Sequence, residues 1–378
     1  ADPDRDSARV GLQDDQQVEV VGVAKNGPSH EESVDSRPNL EEAIEELEGL
    51  IGLANVKNEV ETLVNFLKLQ TLRQEADLPT TDIGLHMVFA GNPGTGKTTV
   101  ARILGKIYGA MGILQKGHLI ETDRSGLVAE YAGQTGPKTN RLIDEAQDGI
   151  LFIDEAYSQM SGTGDDSFGM EAVQTLIKRM EDDRDRLIVI LAVYPREMET
   201  LLKSNPGLSS RFTHQLQFED YHPQELAAIF GRLCEANHYH LNGLGRARIL
   251  IGLRQLHEQR DRHFGNGRTV RNQFENSVRN LANRIVNIPT ITSDMLTQFE
   301  AEDIAIAIDG PCDEEVSGES TENDVAAITW LQEQKFHVRC PGCRTKFRIG
   351  PSRLGREIKC RKCQLPFTEP WAEPVEKD

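Results

Sequence analysis

The sequence has no apolar run that could cross a membrane. Its longest apolar stretch, residues 187–194, falls far short of the about 20 residues that a membrane-spanning helix needs, and we interpret it as a buried strand. The first residues also lack the basic and apolar regions of a signal peptide. These absences predict a cytoplasmic protein with no membrane segment.

Basic residues are scarce relative to acidic ones. The 378 residues include 42 Lys and Arg against 60 Asp and Glu, which gives a formal net charge of −18. Non-specific binding of DNA or RNA depends on clustered Lys and Arg that replace the counterions of phosphates, so most of the surface is expected to repel nucleic acid. The length favours two or three domains over one compact unit.

Cysteine is rare as well, and its placement argues against a disulfide framework. Four of the six cysteines form two Cys-x-x-Cys pairs near the end of the chain, which suggests metal binding in a reducing compartment. The other two, Cys234 and Cys312, are expected to be a core residue and an incidental loop thiol.

Shifts in composition divide the chain into five segments. The first is rich in Asp, Glu, Ser, Gln and Gly, with too few apolar residues to offset the entropy lost on ordering. Two amphipathic helices that meet around Gly52 open the second. The predicted segments are a disordered acidic tail at 1–37, a large α/β domain at 38–220, an all-helical domain at 221–308, an acidic linker at 309–330 and a small basic module at 331–372.

Short β-rich segments alternate with helical patterns between residues 86 and 218. This rhythm predicts an α/β fold, with a parallel sheet covered by helices on both faces. The predicted strands are 86–90, 118–121, 150–153, 187–192 and 213–218, and the predicted helices of the following domain are 224–237, 244–257 and 269–288.

The first strand runs directly into a glycine-rich P-loop, and a helical pattern follows at 99–108. Glycines let backbone N–H groups turn toward a phosphate, and the helix N-terminus adds partial positive charge. Lys97 is expected to reach the β- and γ-phosphates of ATP, and Thr98 to bind Mg²⁺ through its hydroxyl. The predicted nucleotide-binding residues of this loop are Asn92, Pro93, Gly94, Thr95, Gly96, Lys97, Thr98 and Thr99.

A second strand, residues 149–153, ends in the pair Asp154-Glu155. Four apolar residues followed by two carboxylates form a Walker B arrangement. Asp154 can face Mg²⁺ through its water shell, and Glu155 can polarise the attacking water. Such a pair is often only a polar turn, but the upstream P-loop favours the catalytic interpretation. We expect this strand to adjoin the P-loop strand.

Together these motifs make the chain resemble the AAA+ ATPases of the red-type rubisco activase and stage V sporulation protein K group. The resemblance covers roughly residues 40–288. It implies a P-loop AAA+ domain with a helical lid, Mg²⁺-dependent ATP hydrolysis and a homo-oligomeric, hexameric ring. The segments that carry it are residues 50–57 (LIGLANVK), the P-loop, the Walker B strand, residues 204–212 (SNPGLSSRF) and residues 265–268 (GNGR).

The resemblance also implies roles for residues outside the two motifs. Ile51 and Gly52 match the segment near adenine, although ordinary interhelical packing would explain them as well. Arg211 matches the arginine finger that is offered to the γ-phosphate of a neighbouring subunit. The alternative for Arg211 is a surface ion pair with Asp or Glu.

Two further positions belong to nucleotide sensing. Arg268 matches the sensor-2 arginine of the lid, and Arg271 could take its place. Tyr194 stands at the sensor-1 position, where many AAA+ proteins have Asn or Thr. Its hydroxyl either orients water or is part of core packing.

The triplet Tyr131-Ala132-Gly133 matches the pore loop with which AAA+ remodellers grip a polypeptide. Such a triplet is common in loops, so its position between strand 118–121 and the helix that starts near Gly136 is the stronger signal. A loop that threads DNA would carry Lys or Arg, whereas here Glu130 and Gln134 flank the triplet. We therefore expect a protein substrate.

The last module has the spacing of a Cys₄ zinc ribbon. Its ligands are expected to be Cys340, Cys343, Cys360 and Cys363, with sixteen residues between the two pairs. A module this small needs the metal to hold a core. Ten Lys or Arg and one acidic residue, Glu357, lie in residues 335–363. Their charge either offsets the zinc thiolates or forms a surface for nucleic acid or an acidic protein, and Phe336, Phe347 and Phe367 are expected to pack the core.

These observations predict an AAA+ ATPase that couples Mg-ATP hydrolysis to the remodelling of a protein substrate through a ring pore, in the manner of a rubisco-activase-like chaperone. The expected cofactors are ATP, Mg²⁺ and Zn²⁺. The alternative is a nucleic-acid-associated AAA+ ATPase, in which nucleic acid binds only through the zinc ribbon.

Overall fold

A computed structural model describes residues 39–81, 84–129, 131, 133–156, 167–204, 206–261, 263–308 and 320–375. The predicted acidic tail, residues 1–37, lies outside the described residues. All elements below belong to the compact unit of residues 37–378.

A five-stranded parallel sheet forms the centre of the first domain, as the alternating pattern predicts. Its strand order is β2-β3-β4-β1-β5, and every neighbouring pair is parallel. The strands are β1 (Met87–Gly91), β2 (Leu119–Thr122), β3 (Gly149–Ile153), β4 (Leu187–Val193) and β5 (His214–Phe218).

The order corrects one expectation about the site. Strand β3, which ends at the paired acids, does not adjoin the P-loop strand β1, because β4 lies between them. Parallel strands present their carboxyl ends at one edge of the sheet, so the two motifs still meet there. The C-terminal end of β4 consequently becomes a third element of that edge.

Helices cover both faces of the sheet. They are α1 (Leu40–Glu48), α2 (Ala54–Glu75), α3 (Lys97–Ala110), α4 (Arg124–Leu127), α5 (Thr135–Glu145), α6 (Ser167–Asp182), α7 (Pro195–Ser204) and α8 (Pro206–Arg211). Successive residues of β1 point to opposite sides. Met87 and Phe89 pack in the cluster beneath α1, α2 and α3, whereas Val88 and Ala90 pack in the cluster with α5 and α6.

The second domain is mainly helical. Its elements are α9 (Pro223–Ala236), β6 (His240–Leu241), α10 (Gly243–Glu258), α11 (Gly267–Ile285), α12 (Ser293–Thr297) and β7 (Gln298–Phe299), followed by a 3₁₀ turn at Ala301–Asp303. The two-residue strands β6 and β7 pair in parallel and are the part that the helical pattern did not predict. Phe230, Phe274 and Phe299 are stacked edge to face in its core.

The C-terminal module consists of α13 (Ser320–Glu333) and short antiparallel strands. The strands are β8 (Phe336–Arg339), β9 (Lys346–Ile349), β10 (Glu357–Lys359), β11 (Pro366–Thr368) and β12 (Glu373–Pro374), with a 3₁₀ turn at Pro351–Arg353. Helix α13 starts within the segment 309–330 that the composition predicted as a linker. The composition of an acidic, Ser-rich segment did not indicate this helix.

The small module shares its core with the helical domain. Leu331 and Phe336 are fully buried in the same hydrophobic cluster as Phe230 and Leu250. The Trp371 ring lies so close to α9 that a Cβ on Gly231 would be 2.8 Å from it, and the Arg246 guanidinium lies 4.9 Å from the centre of that ring. The lid therefore supplies part of the core of this module, in addition to the metal that the sequence predicts.

Among the described residues, no helix combines the length and the apolar character that a bilayer crossing requires.

Candidate active site

The loop between β1 and α3 turns its backbone through two glycines in the left-handed region. Gly94 has φ +71° and Gly96 has φ +95°, conformations that side chains other than Gly rarely adopt. Gly94 is also constrained by its neighbour, because a Cβ there would collide with the carbonyl oxygen of Gly265 in the lid. The loop is thus shaped for phosphate and packed against the lid at the same residue.

Lys97 at the start of α3 is held inside this loop. Its Nζ donates 2.9 Å hydrogen bonds to the carbonyl oxygens of Gly91 and Asn92. Burial lowers its pKa, the carboxylate of Asp154 opposes that shift, and the charge of Arg268 adds to it. A buried ammonium beside another cation is a strong site for an anion such as a nucleotide phosphate.

The carboxyl pair follows β3 directly. Glu155 has φ +51°, the left-handed region that costs a non-glycine residue about 1–2 kcal/mol. The backbone N–H of Glu155 donates to Oδ1 of Asp154 at 3.0 Å. Strain of this kind is often found at reacting groups, so the backbone adds support that the sequence motif alone does not provide.

Two other side chains approach the same edge. The Thr98 hydroxyl donates a long hydrogen bond, 3.4 Å, to Oε1 of Glu121 at the end of β2. Tyr194 follows β4, and its pKa is raised by burial and by the carboxylates of Glu155 and Asp154. Its hydroxyl is thus protonated and available as a hydrogen-bond donor near the acids.

These elements surround one cleft of about 490 Å³. Its polar end is formed by the P-loop, the two acids, Tyr194 and both lid arginines, Arg268 and Arg271. Its other lining residues are mainly apolar. They are Leu50 and Ile51 from the turn before α2 and Ile229, Leu233 and Ala236 of α9, beside Arg232 of the same helix.

The cleft fits a nucleoside triphosphate bound with Mg²⁺. Three cationic groups at one end match the charge of phosphates, and apolar walls at the other end match a base. A hydroxyl and a carboxylate, from Thr98 and Asp154, are the oxygen ligands that Mg²⁺ prefers. The chemistry of the donor set therefore agrees with the cofactors that the sequence predicted.

The structure places most of the predicted nucleotide residues at the cleft. Those that line it are Ile51, Pro93, Gly94, Gly96, Lys97, Thr98, Thr99, Asp154, Glu155, Tyr194 and Arg268. Gly52, Asn92 and Thr95 do not line it. Gly52 turns the backbone at φ +65° and packs against the Glu225 carboxylate, while the Thr95 hydroxyl donates to the Asn92 carbonyl at 2.8 Å.

The side chain of Asn92 instead belongs to a buried network that sequence reasoning missed. It donates to both carboxylate oxygens of Asp220, at 2.9 and 3.1 Å. Asn266 of the lid donates to the same carboxylate at 2.7 Å and accepts from the Tyr221 N–H at 2.9 Å. The Tyr221 hydroxyl donates to the Thr95 carbonyl at 3.2 Å. The lid is thus fastened to the back of the P-loop.

Asn266 is the centre of this network. It is fully buried and adopts φ +46°, ψ −121°, and its Nδ2 lies 3.4 Å from the Pro93 carbonyl. The next residue reinforces the contact, since the Gly267 N–H donates to the Gly94 carbonyl at 3.0 Å. Asn266 lies within the GNGR segment, so its position in the sequence was a signal, whereas no motif marks its partner Asp220.

Arg211 lies outside its own chain's cleft. Its guanidinium donates to Oε2 of Glu181 at 3.1 Å and to the Gly207 carbonyl at 3.2 Å. Its Nε is buried and has no hydrogen-bond partner among the described residues. The ion pair matches the alternative considered from the sequence.

The predicted pore triplet is described only in part. Tyr131 is 67% exposed, between α4 and α5. Gly133 has φ +78°, and Ala132 lies outside the described residues. A Tyr with this exposure contributes little to the fold of the chain itself.

The four cysteines of the C-terminal module converge. Their sulfur atoms all lie within 4.8 Å of one another, and the pairs Cys340/Cys363 and Cys343/Cys360 are each 3.5 Å apart. Tetrahedral zinc with Zn–S bonds of about 2.3 Å requires sulfur atoms about 3.8 Å apart, so the donor set fits zinc. Hydrogen bonds with Thr345 lower the pKa of the Cys343 thiol to about 6, which favours the thiolate that binds metal.

Comparison with known proteins agrees with this geometry. Residues 87–220 match the model of the ATPase family associated with various cellular activities (AAA), and residues 222–314 match the model of the AAA lid domain. Stage V sporulation protein K of Bacillus subtilis is 41% identical over 269 residues, which is 71% of this chain and 83% of that protein. A CfxQ homolog of Galdieria sulphuraria is 40% identical over 271 residues, covering 71% of this chain and 88% of that protein. The chloroplastic ribulose bisphosphate carboxylase/oxygenase activase of Cyanidioschyzon merolae is 38% identical over 268 residues, covering 70% and 91%.

Proposed function

Because the chain belongs to the AAA family of ATPases, we propose that it couples Mg-ATP hydrolysis to the remodelling of a protein substrate through the pore of a homohexameric ring. ATP hydrolysis follows from the family. The substrate class, the ring and the residue roles are the proposal. A relative named as an activase of another enzyme supports a protein as the substrate.

Each residue of the cleft has a role in this proposal that its geometry supports. Lys97 and Arg268 bind and orient the phosphates, with Arg271 beside them. Thr98 and Asp154 hold Mg²⁺, which neutralises charge that develops on the phosphoryl group. Glu155 orients and polarises the attacking water, and the protonated Tyr194 hydroxyl donates a hydrogen bond nearby.

Arg211 acts in the site of the neighbouring subunit. Arg211 does not line the cleft of its own chain, so in this proposal it stabilises transition-state charge across a subunit interface. The ion pair with Glu181 then holds the arginine in place until the subunits meet.

The exposure of Tyr131 is the observation that carries the substrate assignment. An aromatic side chain that is two-thirds exposed between α4 and α5 contributes little packing to the monomer. In a ring, this loop would face the channel, where an aromatic ring provides an apolar grip on an extended polypeptide without sequence specificity. Gly133, with its left-handed backbone, lets the loop turn sharply two residues after Tyr131.

The experiment captures the client protein on a variant that binds ATP but does not hydrolyse it. Glu155→Gln retains ATP while turnover stops, so a ring loaded with ATP should hold its client during affinity purification. Glu155→Gln combined with Lys97→Ala, which removes ATP, should release the client, and Glu155→Gln combined with Tyr131→Ala should fail to capture it. Glu155→Gln combined with Tyr131→Phe is the matched control and should capture the client as Glu155→Gln alone does. Identical capture by all four proteins would refute the pore assignment, and mass photometry with ATP would report the ring size.

A further inference from the structure

We propose that the outer face of the β8–β9 hairpin in the C-terminal module is a binding surface for the phosphate backbone of a nucleic acid. The surface consists of His337, Arg339, Lys346 and Arg348, and we call it the hairpin face. It lies beyond both AAA family models, which end at residues 220 and 314. The proposal is independent of the proposed protein-remodelling function.

The charge of the module is opposite to that of the rest of the chain. Residues 335–363 carry a formal charge of +9, which leaves −27 for all other residues. All ten of their Lys and Arg side chains are exposed, and within the described ranges none of them forms an ion pair with an Asp or Glu. Four zinc-bound thiolates would leave a charge of about −2, so compensation for the metal explains only a small part of this excess.

The hairpin register places two like charges, those of Arg339 and Lys346, opposite each other. Arg339 pairs with Lys346, and His337 pairs with Arg348. Directly opposed residues in an antiparallel pair have Cβ atoms about 4.5–5.5 Å apart, and like charges at that distance are destabilising. A cation opposite an anion at these positions would stabilise the hairpin more than two cations do. An anion that lies across the hairpin would relieve this repulsion.

The inner face of the hairpin explains why these side chains point outward together. Phe336, Val338 and Ile349 are buried in the core shared with the lid, so the alternate residues lie on the opposite face, where Arg339, Lys346 and Arg348 are exposed and His337 is half-buried. The neighbouring strand β12 adds one carboxylate, because Glu373 is paired with His337. The hairpin face therefore has three cations, one imidazole and a single acid at its edge.

The chemistry of the face favours phosphates over an acidic peptide. Most modes of peptide recognition add pockets for apolar or aromatic anchors, and the hairpin face presents only polar side chains. Backbone phosphates need cations and no pocket. A two-stranded ribbon also has the width that the major groove of duplex DNA admits.

The same geometry fixes the face relative to the motor. Trp371 packs on α9, and the backbone of Pro351 approaches α10 so closely that a Cβ on Gly243 would collide with it. The module is thus packed directly against the lid, so a ligand on the hairpin face would be held beside the domain that carries Arg268 and Arg271. The acidic remainder of the chain confines any nucleic acid to this face.

The test measures binding of a fluorescein-labelled mixed-sequence DNA duplex to the full chain by fluorescence anisotropy over a salt titration. The triple variant Arg339→Gln, Lys346→Gln, Arg348→Gln should bind about tenfold or more weakly. The slope of log K against log salt should fall in magnitude by about two to three, because each phosphate contact contributes about 0.9. A control that removes three exposed lysines of the large domain, Lys68→Gln, Lys116→Gln, Lys178→Gln, changes the net charge equally and should bind like the wild type.

Further variants separate folding from binding. The charge-conserving triple variant Arg339→Lys, Lys346→Arg, Arg348→Lys should retain both binding and one zinc per chain. Lys97→Ala should bind the duplex normally, so failure of the ATPase mechanism and failure of this proposal remain distinguishable. Wild-type protein that does not bind the duplex, binding that salt does not weaken, or a triple variant with an unchanged slope would overturn the proposal. Preferential binding of a labelled polyglutamate peptide would replace nucleic acid with an acidic protein as the partner.

Discussion

The side-chain amide of Asn266 donates a 2.7 Å hydrogen bond to the carboxylate of Asp220, and this bond joins the lid to the large domain. Asp220 lies just after β5 and also accepts from Asn92 of the P-loop. Arg268 follows Asn266 by two residues and lines the nucleotide cleft. The orientation of the lid arginine is therefore set by the same residue that contacts the back of the P-loop.

Replacing Asn266 with glycine should weaken ATP binding about tenfold or more. Glycine retains the unusual backbone of this position, so the lost side-chain bonds are the main change. A tenfold loss of affinity corresponds to about 1.4 kcal/mol of ATP-binding free energy, which we attribute to the positioning of the lid. Titration with a fluorescent ATP analogue measures it. Asn266→Ala adds backbone strain and should also unfold at lower urea. Unchanged affinity in the glycine variant would mean that the network only stabilises the fold.

The left-handed backbone at Glu155 predicts a conflict between stability and turnover. Glu155→Gly should be more stable to urea than Glu155→Ala by about 1 kcal/mol, because only glycine relieves the strain at φ +51°. Both variants should lose ATP turnover, as should Glu155→Gln. Equal stability of the glycine and alanine variants would show that the residue is not strained in solution, and retained turnover in Glu155→Gln would remove Glu155 from its catalytic role.

Arg211→Ala should reduce ATP turnover by about a thousandfold or more while ATP binding is retained. Mixed with inactive Lys97→Ala subunits, it should recover part of the activity, because intact sites then face intact arginines. Glu181→Gln is the matched control. It removes the partner of Arg211 in the monomer without removing the guanidinium, so it should retain turnover. Absence of recovery in mixtures would contradict action across the interface.

His86 should make the protein less stable at mildly acidic pH. Burial lowers its pKa from 6.5 to about 4, although a hydrogen bond with the Met180 backbone acts to raise it. Its Nδ1 accepts a 3.0 Å hydrogen bond from the Val189 N–H. The folded state therefore resists protonation that the unfolded chain accepts below pH 6.5. The contribution, on the order of 3 kcal/mol, is present above pH 6.5 and is lost as the pH falls to about 4.

Urea unfolding between pH 7.5 and 4.5 tests this dependence. His86→Gln has no ionisable ring and should flatten the fall in stability within that window. His240→Gln replaces an exposed histidine and should leave it unchanged. A wild-type stability that rises toward pH 4.5 would contradict the sign.

Loss of zinc should perturb the lid as well as the small module. Cys343→Ser, Cys363→Ser should lose one zinc per chain and lower the midpoint of thermal unfolding, because Leu331 and Phe336 belong to the lid core. Hydrogen exchange should increase in α9 and α10. Cys234→Ala removes a buried lid thiol and should retain the metal. Unchanged exchange in the lid after metal loss would mean that the module docks without zinc.

The sequence alone was sufficient for the parts of the protein that local patterns encode. Each of the five predicted sheet strands lies within one residue of its observed bounds, because apolar runs bounded by turn residues report burial directly. The P-loop and the acidic pair were identifiable because phosphate and metal chemistry demand particular residues at fixed spacing. The four cysteines were recognisable for the same reason.

Only the tertiary structure decided what depends on distant contacts. The insertion of β4 between β1 and β3 is set by long-range pairing, which no local pattern contains. The bond between Asp220 and Asn266 joins residues of two domains, and the docking of Trp371 on Gly231 joins a third, so neither could be identified from spacing. The opposed cations of the hairpin face likewise emerged from strand register, since the sequence gives the charge of residues but not which of them face each other across a sheet.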